Sequence, residues 1–142
     1  MINEEQVKNW LEYARNKFIE RDSILLDLEV HEQTMTHRFA VYLEEVIVED
    51  GYDFHVDCEY NKDERHTKKL DSDDKSVRPD IIVHIRDSLA NILAIEAKKG
   101  EKISAYDSYK LNGYLEKLNY QWAAQVLFPC DGNHPVKYEL LN

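Results

Sequence analysis

A chain of 142 residues, 43% hydrophobic and 11% aromatic, has the size of one ordinary domain and enough apolar material for a core, which excludes a largely disordered polypeptide. Its formal net charge of −10 excludes a generic high-affinity nucleic-acid coat, because neutralising phosphates needs clustered Lys and Arg. No apolar run reaches the roughly 20 residues that span a bilayer, and "MINEEQVKNW" has neither the basic start nor the apolar stretch of a secretory signal, so a cytoplasmic protein with no membrane partner is expected.

Val7, Trp10, Leu11, Ala14 and Phe18 recur at three- and four-residue spacing and predict an amphipathic helix over about residues 4 to 21. After a short apolar connection, Met35, Phe39, Tyr42, Leu43 and Val46 mark a second helix from about Val30 to Val48 that ends near Gly51. In "YDFHVDCEY", Tyr52, Phe54, Val56, Cys58 and Tyr60 alternate with polar residues, the pattern of a half-buried strand. The polar segment 61 to 78 is long for a connection inside a domain. It sets six bases (Lys62, Arg65, Lys68, Lys69, Lys75 and Arg78) against five acids, for a charge of +1, and leaves −11 for the remainder. Any basic contact surface therefore draws on this segment and on Lys98, Lys99 and Lys102, although the segment alone reads as a solvated charged loop.

Strands are predicted at about 80 to 86 and 92 to 98, joined by the polar turn "RDSLAN". Ser104 and Asp107 resemble a capping box, with Asp in place of Glu or Gln, ahead of a helix to about Leu118. The strands "YQWAAQVLF" and "VKYELL", separated by the turn-rich "PCDGNHP", complete the chain. Cys58 and Cys130 lack paired spacing and read as reduced and structural, and His31 and His37, six apart, do not share a helix face, which argues against a zinc site.

The two central strands carry charge where burial is expected, and an unpaired buried charge costs several kcal/mol or more. Strand alternation puts Glu96 and Lys98 on one face and Leu93, Ile95 and Ala97 on the other, while Asp80 shares its face with Ile82 and His84. An antiparallel hairpin that pairs Asp80 with Glu96 or Lys98 gathers all three charged groups on one face, expected to lie beside the second helix. Two carboxylates a few ångströms apart repel unless a cation lies between them, and hard oxygen ligands with a partly open shell suit Mg²⁺. The Ala97 carbonyl is a further candidate ligand, and Lys98 a group to orient or deprotonate a water and stabilise negative charge.

At these residues the sequence resembles the PD-(D/E)XK nuclease superfamily, the restriction-endonuclease-like fold: Pro79-Asp80 supplies "PD" and Glu96-Ala97-Lys98 supplies "EXK", with a hairpin between them. The words "HEQTMTHRFAVYLEE", "VDCEYNK" and "RPDIIVH" are similar to one group of small bacterial proteins with this fold, and the likeness covers about residues 30 to 128. The resemblance implies an α/β restriction-endonuclease-like core with a central mixed sheet flanked by helices, to which residues 1–22 add a helix. It also implies a Mg²⁺- or Mn²⁺-dependent nuclease with Asp80, Glu96 and Lys98 catalytic and Asp80, Glu96, Ala97 and a helix acid as metal ligands. Glu32 in "VHEQTMTHR" is the candidate acid, facing inward with Met35, Thr36 and Phe39, against a plain first-turn Glu favoured by the helix dipole.

Glu44 and Glu45 read as a solvated face, and Glu59 either lines the site or is an exposed strand residue. Arg38, Arg78, Lys99 and Lys110 are candidates for phosphate oxygens, with Arg38 and Lys110 weighed against surface ion pairs. Asp107 reads as a helix cap. His84 lies about 13 Å along its strand from Asp80, too far for a shared metal, and reads as a buried, hydrogen-bonded histidine. Trp122 and the nine tyrosines could stack on bases, but strand aromatics usually pack the core. The expected function is phosphodiester hydrolysis in nucleic acid, DNA first, with a homodimer or partner chain needed to cut both strands of a duplex. The alternatives are a nucleic-acid-binding or assembly module without turnover and a structural subunit with a buried ion-pair network.

Overall fold

The computed structural model describes residues 2–60 and 78–142, together with the backbone of two short strands in between. The elements in chain order are α1 (Glu4–Asp22), α2 (Ile24–Asp27), α3 (Glu32–Glu49), β1 (His55–Cys58), β2 (Lys62–Asp63), β3 (His66–Thr67), β4 (Ile81–His84), β5 (Asn91–Lys99), α4 (Ala105–Glu116), β6 (Trp122–Phe128) and β7 (Lys137–Leu141). The solvated-loop reading of residues 61 to 77 lies outside the described residues, apart from the antiparallel pairing of β2 with β3.

The main sheet has the order β1-β4-β5-β6-β7. Only β5 and β6 run parallel; every other pair is antiparallel. A parallel pair needs a crossover, and α4 supplies it. Helices cover both faces. Val7, Trp10, Leu11, Ala14 and Phe18 of α1 and the Met35, Phe39 and Leu43 stripe of α3 pack with Ile81, Val83, Ile95, Val126 and Phe128 on one face. Leu111 and Tyr114 of α4, with Leu118 and Tyr120, pack with Ile82, Ala94 and Ala123 on the other. The alternation of each strand therefore sorts its residues between two separate cores.

Local signals set the helix starts. Asn3 caps α1 in a reciprocal box with Gln6, and Ser104 caps α4 in a box with Asp107, where the shorter Asp does the work of Glu. The single turn α2 was not expected; it bends the chain between α1 and α3 and buries Leu26. Cys58 and Cys130 are free, as expected, but both are exposed rather than core residues. Trp122 is buried and its Nε1 donates to the Ile2 carbonyl oxygen at 3.1 Å, so it packs rather than stacks on a ligand. No helix of the described residues is long and apolar enough to cross a membrane.

Strand lengths create the special feature of the sheet. Ile81 opens β4 opposite Ile95, so β5 runs on through Glu96, Ala97, Lys98 and Lys99 with β6 on one side and, among the described residues, no strand on the other. A bulge between Val83 and His84 shifts the register only at the far end of the hairpin.

Candidate functional site

Extending the Ile81–Ile95 pairing by one step places Asp80 opposite Glu96. The open edge of β5 beyond that point needs acceptors for its outward N–H groups. Asp80 Oδ2 accepts from the Ala97 N–H at 2.7 Å, and Glu32 Oε2 accepts from the Lys99 N–H at 3.0 Å. Because an extended residue directs its N–H and C=O to the same neighbour, the Ala97 carbonyl faces this same edge, between the two carboxylates. The backbone of Asp80 is fixed from the other side, its carbonyl accepting from the Glu59 N–H at 3.0 Å.

Glu96 is 5% exposed and both its oxygens are engaged by α4: the Tyr114 hydroxyl donates to Oε1, and Lys110 Nζ lies 3.2 Å from Oε2. Lys98 Nζ donates to Asp107 Oδ2 at 2.5 Å. The charged face of β5 therefore lies under α4, not beside the second helix α3 as expected. The reason is parity: from Leu93 onward, beyond the bulge, even-numbered residues of β5 point to the α4 core and odd-numbered ones to the α3 side. Glu32 is exposed rather than inward-facing, and it approaches the site around the open sheet edge from the α3 side.

The electrostatics follow from this crowding. Burial first, and then the charge of Glu96, push the Asp80 carboxyl up to about 7. Burial and Glu96 likewise raise the Tyr114 hydroxyl far above its ordinary value, so it is a donor to the carboxylate at neutral pH. Burial alone would lower the Lys110 ammonium, but Glu96 and then Asp80 outweigh it and hold Lys110 above its usual value. Burial works against Asp107 as well, yet Lys98 and the Ser104 cap hold it down at about 2. Asp107 thus caps α4 and anchors Lys98 with the same oxygen.

Asp80 also borders an open cleft of about 450 Å³ on the α3 side, lined by His31, Glu32, Gln33, Thr36, His37, Cys58 and Glu59. Glu59 stands just past β1 in the left-handed region (φ 51°) and accepts from Gln33 Nε2 at 3.1 Å. Of the other sequence-predicted residues, Lys110 joins the acidic pair, Lys99 and Arg78 are exposed next to it in the chain, and Arg38 does not join it. Arg38 is drawn into the α1–α3 seam, with Nε 3.1 Å from Asp22 Oδ2 and Nη2 2.9 Å from the Tyr42 hydroxyl. Glu44 and Glu45 are exposed, as expected. His84 is 3% exposed and hydrogen-bonded to Asp57 at 2.7 Å, as expected.

Tyr114 and the anchoring role of Asp107 were missed. The signal was present in the helix period: Asp107, Lys110 and Tyr114 are spaced three and four apart, one face of α4, and that face meets the charged side of β5.

Hard oxygen donors at an acidic pair suit Mg²⁺ or Mn²⁺. Among the described residues no group of three or more His, Cys, Asp or Glu gathers in a metal-holding arrangement. The oxygens an ion could use there are those of Asp80 and Glu96 and the Ala97 carbonyl, too few to fill its shell without water. Comparison with family models, with curated proteins and with solved structures gives no match. What is defined is an α/β protein with a five-stranded mixed sheet flanked by helices and an acidic pair at an open strand edge.

Proposed function

We propose that the chain is a metal-dependent nuclease of the PD-(D/E)XK type, with a restriction-endonuclease-like core, that hydrolyses phosphodiester bonds, in DNA first of all. The observation that carries this reading is the Asp80–Glu96 pairing at the end of β4 and β5, with Lys98 on the same strand face. The succession α3, β1, β4, β5, α4, β6 supports it as the expected core order.

Asp80, Glu96 and the Ala97 carbonyl would hold Mg²⁺ or Mn²⁺; Glu32 stays outside this set, its carboxylate accepting from the Lys99 N–H on the α3 side. When bound, the ion supplies Lewis-acid polarisation of the phosphate and a water of lowered pKa. The chain's own residues do the rest. Tyr114 fixes one oxygen of Glu96, and Lys110 offsets the charge of the pair. Asp107 holds the Lys98 ammonium where it can stabilise negative charge building on a phosphate. Lys99 and Arg78, both exposed, would hold the nucleic-acid backbone. Cutting both strands of a duplex would require a second copy or a partner chain.

Incubating the protein with Mg²⁺ or Mn²⁺ and single-stranded, duplex or branched DNA, or RNA, tests the reading. Cleavage by the wild type and a loss of about 100-fold or more in Asp80→Asn are expected. One observation favours a second reading, a structural or assembly module: Glu96 and Lys98 already have protein partners in Tyr114, Lys110 and Asp107. A static network of this kind predicts no cleavage and no rise in melting temperature with Mn²⁺ that depends on Asp80.

A further inference from the structure

Of the nine tyrosines and two tryptophans, only Tyr106 and Tyr109 are exposed, at 65% and 50%. They stand on the first turns of α4, with rings nearly parallel (17°) and centres 6.2 Å apart, an offset stacked pair facing solvent. Lys110 ties this pair to the acidic site: its Nζ lies 5.1 Å from the centre of the Tyr106 ring and 3.2 Å from Glu96 Oε2. Aromatic surface of this size is normally buried, and here it is displayed beside the buried Glu96 carboxylate and its Lys110 partner.

We infer that Tyr106 and Tyr109 form a stacking platform for unpaired bases, so that the substrate is single-stranded nucleic acid. The inference rests on the nuclease reading for its reaction, but its binding residues are different ones. Base stacking is indifferent to the protein's net charge and to base identity, because every base has a π-face. Duplex recognition, by contrast, draws on many phosphate contacts, and a chain of net charge −10 is poorly supplied with cations to make them. In a duplex the base faces are stacked on each other and closed to the platform. The cations at this end of the sheet, Lys98, Lys99, Lys102 and Lys110, suffice for the backbone of a short single strand. A base on Tyr106 brings its own backbone to Lys110, and through Lys110 to the acidic pair.

The test is fluorescence anisotropy of the full chain with a labelled oligothymidylate, the same strand in duplex, and an oligouridylate, in a chelator so that binding is read without chemistry. Single strands should bind at least about tenfold tighter than duplex, and Tyr106→Ala/Tyr109→Ala should weaken single-strand binding by about tenfold or more. Tyr106→Phe/Tyr109→Phe should keep the affinity, since the rings and not the hydroxyls carry it. The double alanine variant should leave the slope of affinity against salt unchanged. Tighter binding of either the DNA or the RNA single strand than of the duplex supports the assignment. Equal binding of duplex, wild-type affinity in the double alanine variant, or a reduced salt slope would overturn it. The two readings fail separately: cleavage that needs Asp80 with binding that ignores the tyrosines sinks the platform alone, and tyrosine-dependent binding with no cleavage of any substrate sinks the nuclease alone.

Discussion

Asp80 is the residue at which the competing forces of the site meet. It accepts a backbone N–H that favours its charged form, but burial and the neighbouring Glu96 carboxylate outweigh that bond and raise it to about 7. The sign of the pH effect follows from proton counting. Between about pH 4 and 7 the folded chain holds a proton on Asp80 that the unfolded chain has released. Stability must therefore fall as pH rises through this window and level off above it. Urea denaturation across that range should show this decline in the wild type, and Asp80→Asn, which cannot ionise, should flatten it. An unchanged slope in the variant would assign the pH dependence to other groups. A divalent cation favours the ionised form, so the stabilisation gained from Mn²⁺ should grow with pH over the same interval.

At the scale of elements, the parity of β5 decides which side chains can act. The expected bounds of α1, α3, β5, α4 and β6 agree with the observed ones to within a few residues, because each has a strong period or a cap. The partner of Asp80 was legible down to two residues, Glu96 or Lys98, since a tight hairpin leaves few registers, and the observed register selects Glu96. What the sequence did not disclose is which helix covers which face. Alternation sorts residues into two sets but does not label the sets, so Glu96 and Lys98 were assigned to the neighbourhood of α3 instead of α4. Glu32 was misplaced for the same reason; it reaches β5 around an edge that exists only because β4 is shorter than β5. The parity itself can be tested by mutation. Lys98→Ala, on the charged face, should cut turnover by about 100-fold at saturating substrate, as expected for an electrostatic or general-base group. Lys99→Ala, on the opposite parity and exposed, should mainly weaken binding and lower its salt dependence. Equal turnover losses in the two variants would contradict the assigned strand phase.

At the scale of the whole molecule, α1 is part of the core and not an appendage to it. The family resemblance makes residues 1–22 an addition to the shared core; in this chain Trp10 and Phe18, on the apolar stripe read from the sequence, are fully buried, and Phe18 lies against Phe128 with ring centres 5.0 Å apart. Trp10 is also tied to the end of α3, its Nε1 donating to Asp50 Oδ2 at 2.9 Å. Phe128 closes β6 directly beside Lys99 of β5, so the α1 contact supports the strand end that carries the candidate site. Phe18→Ala removes a ring from a close-packed region and should cost about 3–5 kcal/mol, which is a large fraction of the roughly 5–15 kcal/mol that holds a domain of this size together. Removing residues 1–22 altogether should leave a chain without a cooperative unfolding transition, because the apolar side of α3 and the Phe128 end of β6 would be laid open. Urea titration followed by tryptophan fluorescence checks both. A loss below about 1 kcal/mol in Phe18→Ala, typical of a surface site, would show that the helix packs loosely and that the strand end is held by α3 and α4 alone.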